Sequence, residues 1–219
     1  MPLDPAFADP AVRGTAVEPG RLSAPALRER FAAPPAWSPE LNTDPRLALL
    51  QGPPRPAAVL VPLVQRERGL TVLLTQRTAH LYDHAGQISF PGGRVEDADA
   101  SARHTALRET EEEIGLVPGA VDVIGSLPDY VVASGYQVTP IVGVIEHEFT
   151  LRLDEFEVAE VFEVPLAFLM DPVNHERRTV EIDGVRRTFY AMPYQGRRRY
   201  FIWGATAAML RNLYQFLRS

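Results

Sequence analysis

Apolar and polar positions change their rhythm several times along the chain, and each change marks an element. Residues 57–65 (AAVLVPLVQ) and 70–76 (LTVLLTQ) are short runs of aliphatic and β-branched side chains parted by Arg66-Glu67-Arg68-Gly69. This pattern predicts two strands joined by a tight break. Residues 86–90 form another short strand running into Pro91-Gly92-Gly93. A helix is expected over 101–114, ended by Gly115, the residue best suited to a left-handed cap. Strands follow at 121–127 and 137–145. Asp183-Gly184 parts 179–182 from 187–191 and signals a hairpin. Trp203, Met209, Leu213 and Phe216 recur at helical spacing, which predicts an amphipathic closing helix with these side chains in the core.

The opening segment reads differently. Twelve of the twenty prolines precede residue 57. Residues 1–22, rich in Pro and Ala, are expected to be weakly ordered. Residues 23–32 (SAPALRERFA) predict a short helix with Ser23 as its cap and Pro25 in its first turn. With 219 residues and no internal repeat, the rest suits one domain over 23–219. Strands mixed with two or three helices point to an α/β fold, an α/β/α sandwich on a mixed sheet.

Composition narrows the chemistry. There is no cysteine, which excludes thiolate metal sites and cysteine nucleophiles. There is also no lysine, so all 22 basic residues are arginine, and Schiff-base or Walker-lysine chemistry is excluded. A net charge of −6 argues against nucleic acid as a partner, though not against a local basic pocket. No signal peptide or membrane-spanning run is visible, so a cytoplasmic protein without membrane partners is expected.

The densest chemistry lies in Arg108-Glu109-Thr110-Glu111-Glu112-Glu113. On a helix, Glu112 lies about 60° behind Glu109 and Glu113 about 40° ahead, while Glu111 falls about 160° away. Three carboxylates thus share a face near the helix C-terminus, where the dipole disfavours anions. A hard divalent cation would offset them, and oxygen ligation suits Mg²⁺ or Mn²⁺. The preceding Gly92-Gly93 lets backbone approach a ligand closely.

These residues resemble the Nudix box. Gly93, Arg108-Glu109, Glu112-Glu113 and Gly115-Leu116 match it; the loop from Gly93 to Arg108 is one residue longer than usual, Asp99 stands nearest the first glutamate position, and Thr110 replaces an aliphatic residue. Upstream, Leu73-Leu74-Thr75-Gln76-Arg77-Thr78 and Gly86-Gln87-Ile88-Ser89-Phe90-Pro91-Gly92-Gly93 resemble the extra motif of the coenzyme A pyrophosphatase branch, with Tyr82 where an arginine is frequent. The segments at 135–140 and 200–204 resemble that branch as well.

The resemblance implies a small-molecule substrate, coenzyme A or a related nucleotide, cleaved to 3′,5′-ADP and 4′-phosphopantetheine. It implies Glu109, Glu112 and Glu113 as metal ligands, with Arg108 orienting them and Glu157, or else Glu160, as a loop ligand or base. Gly92, Gly93, Arg77 and Arg94 are the expected substrate contacts, with the arginine clusters at 177–178, 186–187 and 197–199 as further candidates. ADP-ribose or a dinucleotide is the alternative substrate, a non-catalytic Nudix-fold binder the alternative class, and a homodimer is open. His80 and His84 are read as surface or hydrogen-bonding residues and His104 as structural, while His147 and His175 have no companions.

Overall fold

A strand that is apolar on both faces must be covered on both, and the run beginning at Arg55 meets that demand in the middle of the molecule. The computed structural model describes residues 8–9, 14–80, 86–182 and 184–219. In chain order its elements are β1 (Ala8–Asp9), α1 (Ala24–Ala32), β2 (Arg55–Arg66), β3 (Gly69–Arg77), β4 (Ile88–Ser89), β5 (Gly92–Arg94), α2 (Ala102–Ile114), β6 (Asp122–Ser126), β7 (Tyr130–Val132), β8 (Tyr136–Ile145), β9 (Val158–Pro165), α3 (Leu166–Leu169), β10 (Glu176–Ile182), β11 (Val185–Gln195), β12 (Arg199–Trp203) and α4 (Gly204–Arg218).

β2 is parallel to β8 on one side. Its other edge is shared by β5, antiparallel over Ala57–Val59, and β3, antiparallel from Leu63 onward. Pro62 sits in the gap between those partners. Leu60 donates its N–H toward this edge, to Pro91 O at 2.9 Å, so two residues on the missing proline N–H falls where no ladder bond is needed.

The two faces of β2 bury different sets. Ala58, Leu60 and Val64 pack with Leu73, Ile141, Ile145 and the α2 residues Ala106, Leu107 and Ile114. Ala57, Val61 and Leu63 face the opposite layer, with Leu27 of α1, Leu166 of α3 and Leu210, Leu213 and Tyr214 of α4. Helices therefore cover both faces of a mixed sheet, the expected α/β/α arrangement.

A second sheet, antiparallel in the order β1-β10-β11-β12, stands beside it; the sequence pattern revealed only its central hairpin. Ile182 pairs with Val185 across the turn, and Gly184 takes φ +74°; Asp183 lies outside the described residues. β9 also escaped the pattern, because Glu160 and Glu163 break its apolar run. Both charges are matched: Glu163 by Arg66 and the Thr71 hydroxyl, Glu160 by Arg198 and Tyr200.

Three further expectations need correction. Within the segment expected to be weakly ordered, Val17 and Leu22 are buried, Val17 N–H donates to Met170 O, and Tyr214 donates to Thr15 O; apolar side chains outweigh the Pro-rich composition there. Trp203 ends β12 and is only half-buried, whereas Met209, Leu213 and Phe216 join the core. His175 is fully buried: Nε2–H donates to Leu169 O at 2.7 Å and Nδ1 accepts from Arg211 at 3.2 Å.

Burial is the main cause that pushes His175 from its usual 6.5 down to about 4. The folded chain refuses a proton that the unfolded chain accepts, so stability is full above pH 6.5 and falls as the pH drops toward 4. Denaturant midpoints should lose about 2 kcal/mol of stability between pH 7 and 5 from this group. His175→Gln should flatten that decline; an unchanged slope would assign it to other groups.

Candidate active site

The site forms where α2 runs under β5. Ser101 caps α2, its hydroxyl accepting from His104 N–H at 3.2 Å, and Gly115 closes it in the left-handed region at φ +72°. The last carbonyls are then met by the following loop: Arg152 N–H donates to Ile114 O at 2.8 Å and Asp154 N–H to Glu113 O at 2.9 Å. Satisfying the helix end in this way brings the segment carrying Glu157 back to the carboxylate face.

Glu109 and Glu113 point at the glycine strand. A Cβ on Gly93 would lie 2.5 Å from both carboxylate oxygens of Glu109, so only glycine leaves room for that carboxylate. Glu113 accepts from Gly92 N–H at 3.3 Å and is 6% exposed. Burial pushes Glu113 up to about 8, with Arg77 opposing the shift, and burial also raises Glu109 against the pull of Arg108. Neighbouring carboxylates add to both shifts, Glu112 and Glu157 to that of Glu109, and Glu157 and Glu109 to that of Glu113. Ionising both of these desolvated carboxylates together calls for positive charge beside them.

Arg108 organises the outer side. It grips Asp99 with Nε at 3.0 Å and Nη2 at 2.9 Å, while Nη1 reaches Glu109 at 3.0 Å and Glu112 at 2.9 Å. Asp99 also accepts from Glu96 N–H and the Thr105 hydroxyl, and Arg108 holds its carboxyl well below the usual carboxylate range. Glu112 is drawn to this guanidinium and stands 59% exposed. The three glutamates thus share a face as the spacing required, but only Glu109 and Glu113 close on the glycines. Among the described residues no three acidic or imidazole groups are gathered in a ligand cluster.

Arg77 lies across from the helix, with Nη1 3.8 Å from Glu113 and 3.9 Å from Glu157. Its neighbour Thr78 fixes that arrangement, donating N–H to Glu157 O at 2.9 Å and its hydroxyl to Phe156 O at 2.7 Å. Arg77 Nε is buried with no acceptor, an omission that costs about 1–3 kcal/mol. Glu160, the other loop acid considered, is taken up by Arg198 and Tyr200.

Arg94 lends its carbonyl to Arg108 and lines a cleft of about 1650 Å³ together with Arg77, Gly92 and Gly93. That cleft runs to the second sheet, where Arg177, Arg187, Phe189 and Trp203 line it, and along a strap that includes Glu40 and Asp44. Of the other arginine candidates, Arg178 is spent on Glu176 and Arg198 on Glu160. Tyr82 and His84 lie outside the described residues. Sequence reasoning did not anticipate Thr78 as a clamp or Trp203 as a wall; no local spacing announces either.

A family model for the NUDIX domain matches residues 53–188. The chain belongs to the Nudix family. A protein from Escherichia coli (strain K12) named NudL, described as an uncharacterized Nudix hydrolase, is 48% identical over 160 residues, 73% of this chain and 81% of NudL. Among solved structures, the chain is similar to a C. elegans Ap4A hydrolase binary complex, at 20% identity and TM-score 0.44 over 50% of this chain and 80% of that one. It is also similar to the NUDIX domain of Shewanella oneidensis NrtR bound to ADP ribose, at 22% identity and TM-score 0.41 over 64% and 82%. Nudix hydrolases act on small molecules and generally use divalent ions such as Mg²⁺ or Mn²⁺. No described helix is long and apolar enough to cross a membrane.

The two glycines of this Nudix hydrolase should respond differently to substitution. Gly93→Ala meets only the movable end of Glu109, so thermal stability should change little while turnover falls about a hundredfold. Gly92→Ala places its Cβ against the Ala58 carbonyl and 2.5 Å from Val59 Cα, at φ +150°; it should lower the unfolding temperature itself. Equal effects of the two changes on stability would contradict this division.

Proposed function

We propose that this Nudix hydrolase cleaves the diphosphate of coenzyme A and its derivatives, giving 3′,5′-ADP and 4′-phosphopantetheine or its acyl form. The observation that carries the reading is the meeting of Arg77 with Glu113 and Glu157. It joins the upstream LLTQRT motif and the Nudix box at one point, so the two halves of the branch resemblance form one site.

The donor chemistry fits a hard divalent ion: carboxylates from one helix face, two of them raised chiefly by burial, with no sulfur or imidazole among them. Glu109, Glu112 and Glu113 would hold Mg²⁺ or Mn²⁺. When bound, such an ion neutralises the diphosphate oxygens and so favours attack at phosphorus. The chain's own residues do the remaining work. Gly92 and Gly93 let the substrate approach the carboxylates, and Arg77 and Arg94 attract and orient the diphosphate. Arg108 keeps Glu109 and Glu112 in place. Glu157, exposed at the edge of the site, accepts the proton of the attacking water as the bond to the departing phosphate breaks.

Two measurements test this. Glu109→Gln should reduce turnover by roughly 10²–10³-fold with the unfolding transition preserved; undiminished turnover would remove Glu109 from the site. Coenzyme A, ADP-ribose, NADH and diadenosine polyphosphates should be incubated with Mg²⁺ or Mn²⁺ and their products read by mass. 3′,5′-ADP and phosphopantetheine are expected to form fastest. Faster cleavage of the others would keep the hydrolase and overturn the substrate, and no turnover on any would turn the reading toward binding.

A further inference from the structure

Among the described residues, two side-chain nitrogens are shut away from solvent with no hydrogen-bond partner: Arg77 Nε and Arg187 Nε. Both arginines line the same cleft, one at the carboxylate end and one on the second sheet. Other arginines in this acidic chain have found acceptors, as Arg66 has in Glu163, Arg178 in Glu176 and Arg211 in Glu40. A guanidinium left with a buried, unmatched donor at a cavity wall is chemistry waiting for an anion.

The surroundings of Arg187 narrow the kind of anion. Arg187 pairs with Val180 in the hairpin, and alternate positions of a strand share a face, so Phe189 lies on the same face as Arg187. Ala191 is on that face too, and its partner across β11 and β12 is Trp203. The Phe189 and Trp203 rings meet edge to face with centroids 5.4 Å apart, and both line the cleft. Asp44, across the cleft on the strap, feels the charge of Arg187 but is itself engaged by Arg46 through Nε at 3.0 Å and Nη2 at 2.6 Å. The guanidinium thus stands beside an aromatic pair with no acid committed to it.

We propose that the cleft is built for a nucleotide carrying two separate anionic groups: a diphosphate at the Arg77 end, and a phosphate monoester on Arg187 with the base against Phe189 and Trp203. The inference rests on the hydrolase reading above and sharpens it, because it assigns discrimination between phosphorylated and dephosphorylated forms of one substrate to a residue outside the Nudix box. Arginine suits the task, since its planar fork can hold two oxygens of one phosphate.

Binding without turnover provides the test. Calorimetric titration with adenosine 3′,5′-bisphosphate and with AMP should give the wild-type protein a preference of about tenfold or more for the bisphosphate. Arg187→Ala should abolish that preference by weakening the bisphosphate more than AMP, and Arg187→Lys should restore part of it. Arg187→Gln, which keeps more of the side chain, serves if the alanine variant unfolds. A wild type without preference, or a preference that survives in the Ala and Gln variants, overturns the proposal. Turnover separates it from the underlying function. Equal kcat/KM for coenzyme A and dephospho-coenzyme A in the wild type would overturn the Arg187 subsite alone. Cleavage of neither, with the bisphosphate preference and its loss in Arg187→Ala intact, would overturn the function and support the subsite.

Discussion

Two carboxylates pressed against a pair of glycines set the terms for everything around them. Glu109 can occupy its place only because Gly93 has no Cβ, and Glu113 only because Gly92 offers an N–H. Neither charge is comfortable there, since burial raises both and the helix C-terminus disfavours anions. The neighbouring structure answers that discomfort. Arg108 is locked by a deeply covered Asp99, so its remaining nitrogen is aimed at Glu109 and Glu112. Arg77 approaches from β3, a different element, and the loop that caps α2 supplies Glu157 beside it. Each of these contacts would be unnecessary if the two glutamates faced solvent.

The outer wall of the cleft obeys a separate constraint. Residues 33–54 contain no strand or α-helix, so their backbone must be fastened by other means. Glu40 does this against α4: its N–H donates to Asn212, its carbonyl accepts from Asn212, and its carboxylate accepts from Arg211 at 2.9 Å. Farther along, Asn42 donates to Val131 O at 2.9 Å. Arg211 in turn donates to His175, so the strap, α4 and the turn before β10 share one polar network. Because such a network is strong only when each member is matched, the strap along the cleft depends on contacts far from the carboxylates.

How much of this the sequence revealed follows from the range of the interactions. α1 and α2, with their Ser caps and the Gly115 stop, are local matters, and both emerged within a residue of the expected limits. The β2–β3 hairpin and the convergence of Glu109 and Glu113 were legible as well, with β2 starting two residues earlier than expected. What stayed hidden was decided between distant segments. β9 looked unlike a strand until Arg66 and Arg198 neutralised its glutamates. Trp203 has helical spacing with the α4 core residues, but pairing with Ala191 turns it to the cleft. His175 has no companion nearby in sequence because its partner is Arg211. The turn of Glu112 toward Arg108 depends on Asp99, nine residues before the arginine, and helix geometry alone cannot supply it.

The balance of charge makes the last link between site and substrate. The chain carries −6 overall, which would repel a polyanionic substrate at long range. Along the cleft the sign reverses, since Arg46, Arg77, Arg94, Arg177 and Arg187 line it against Glu40, Asp44 and Glu181. Field lines from clustered charges concentrate in a concave, low-dielectric space, so the local potential there can oppose the net charge. A polyanion drawn in by that reversal would meet the buried glutamates at lower cost with a divalent cation between them. Under the proposed function the arginines would select for an anion, and the carboxylates for an anion that brings or meets a metal. A metal-bound diphosphate satisfies both conditions, whereas a neutral ligand satisfies neither.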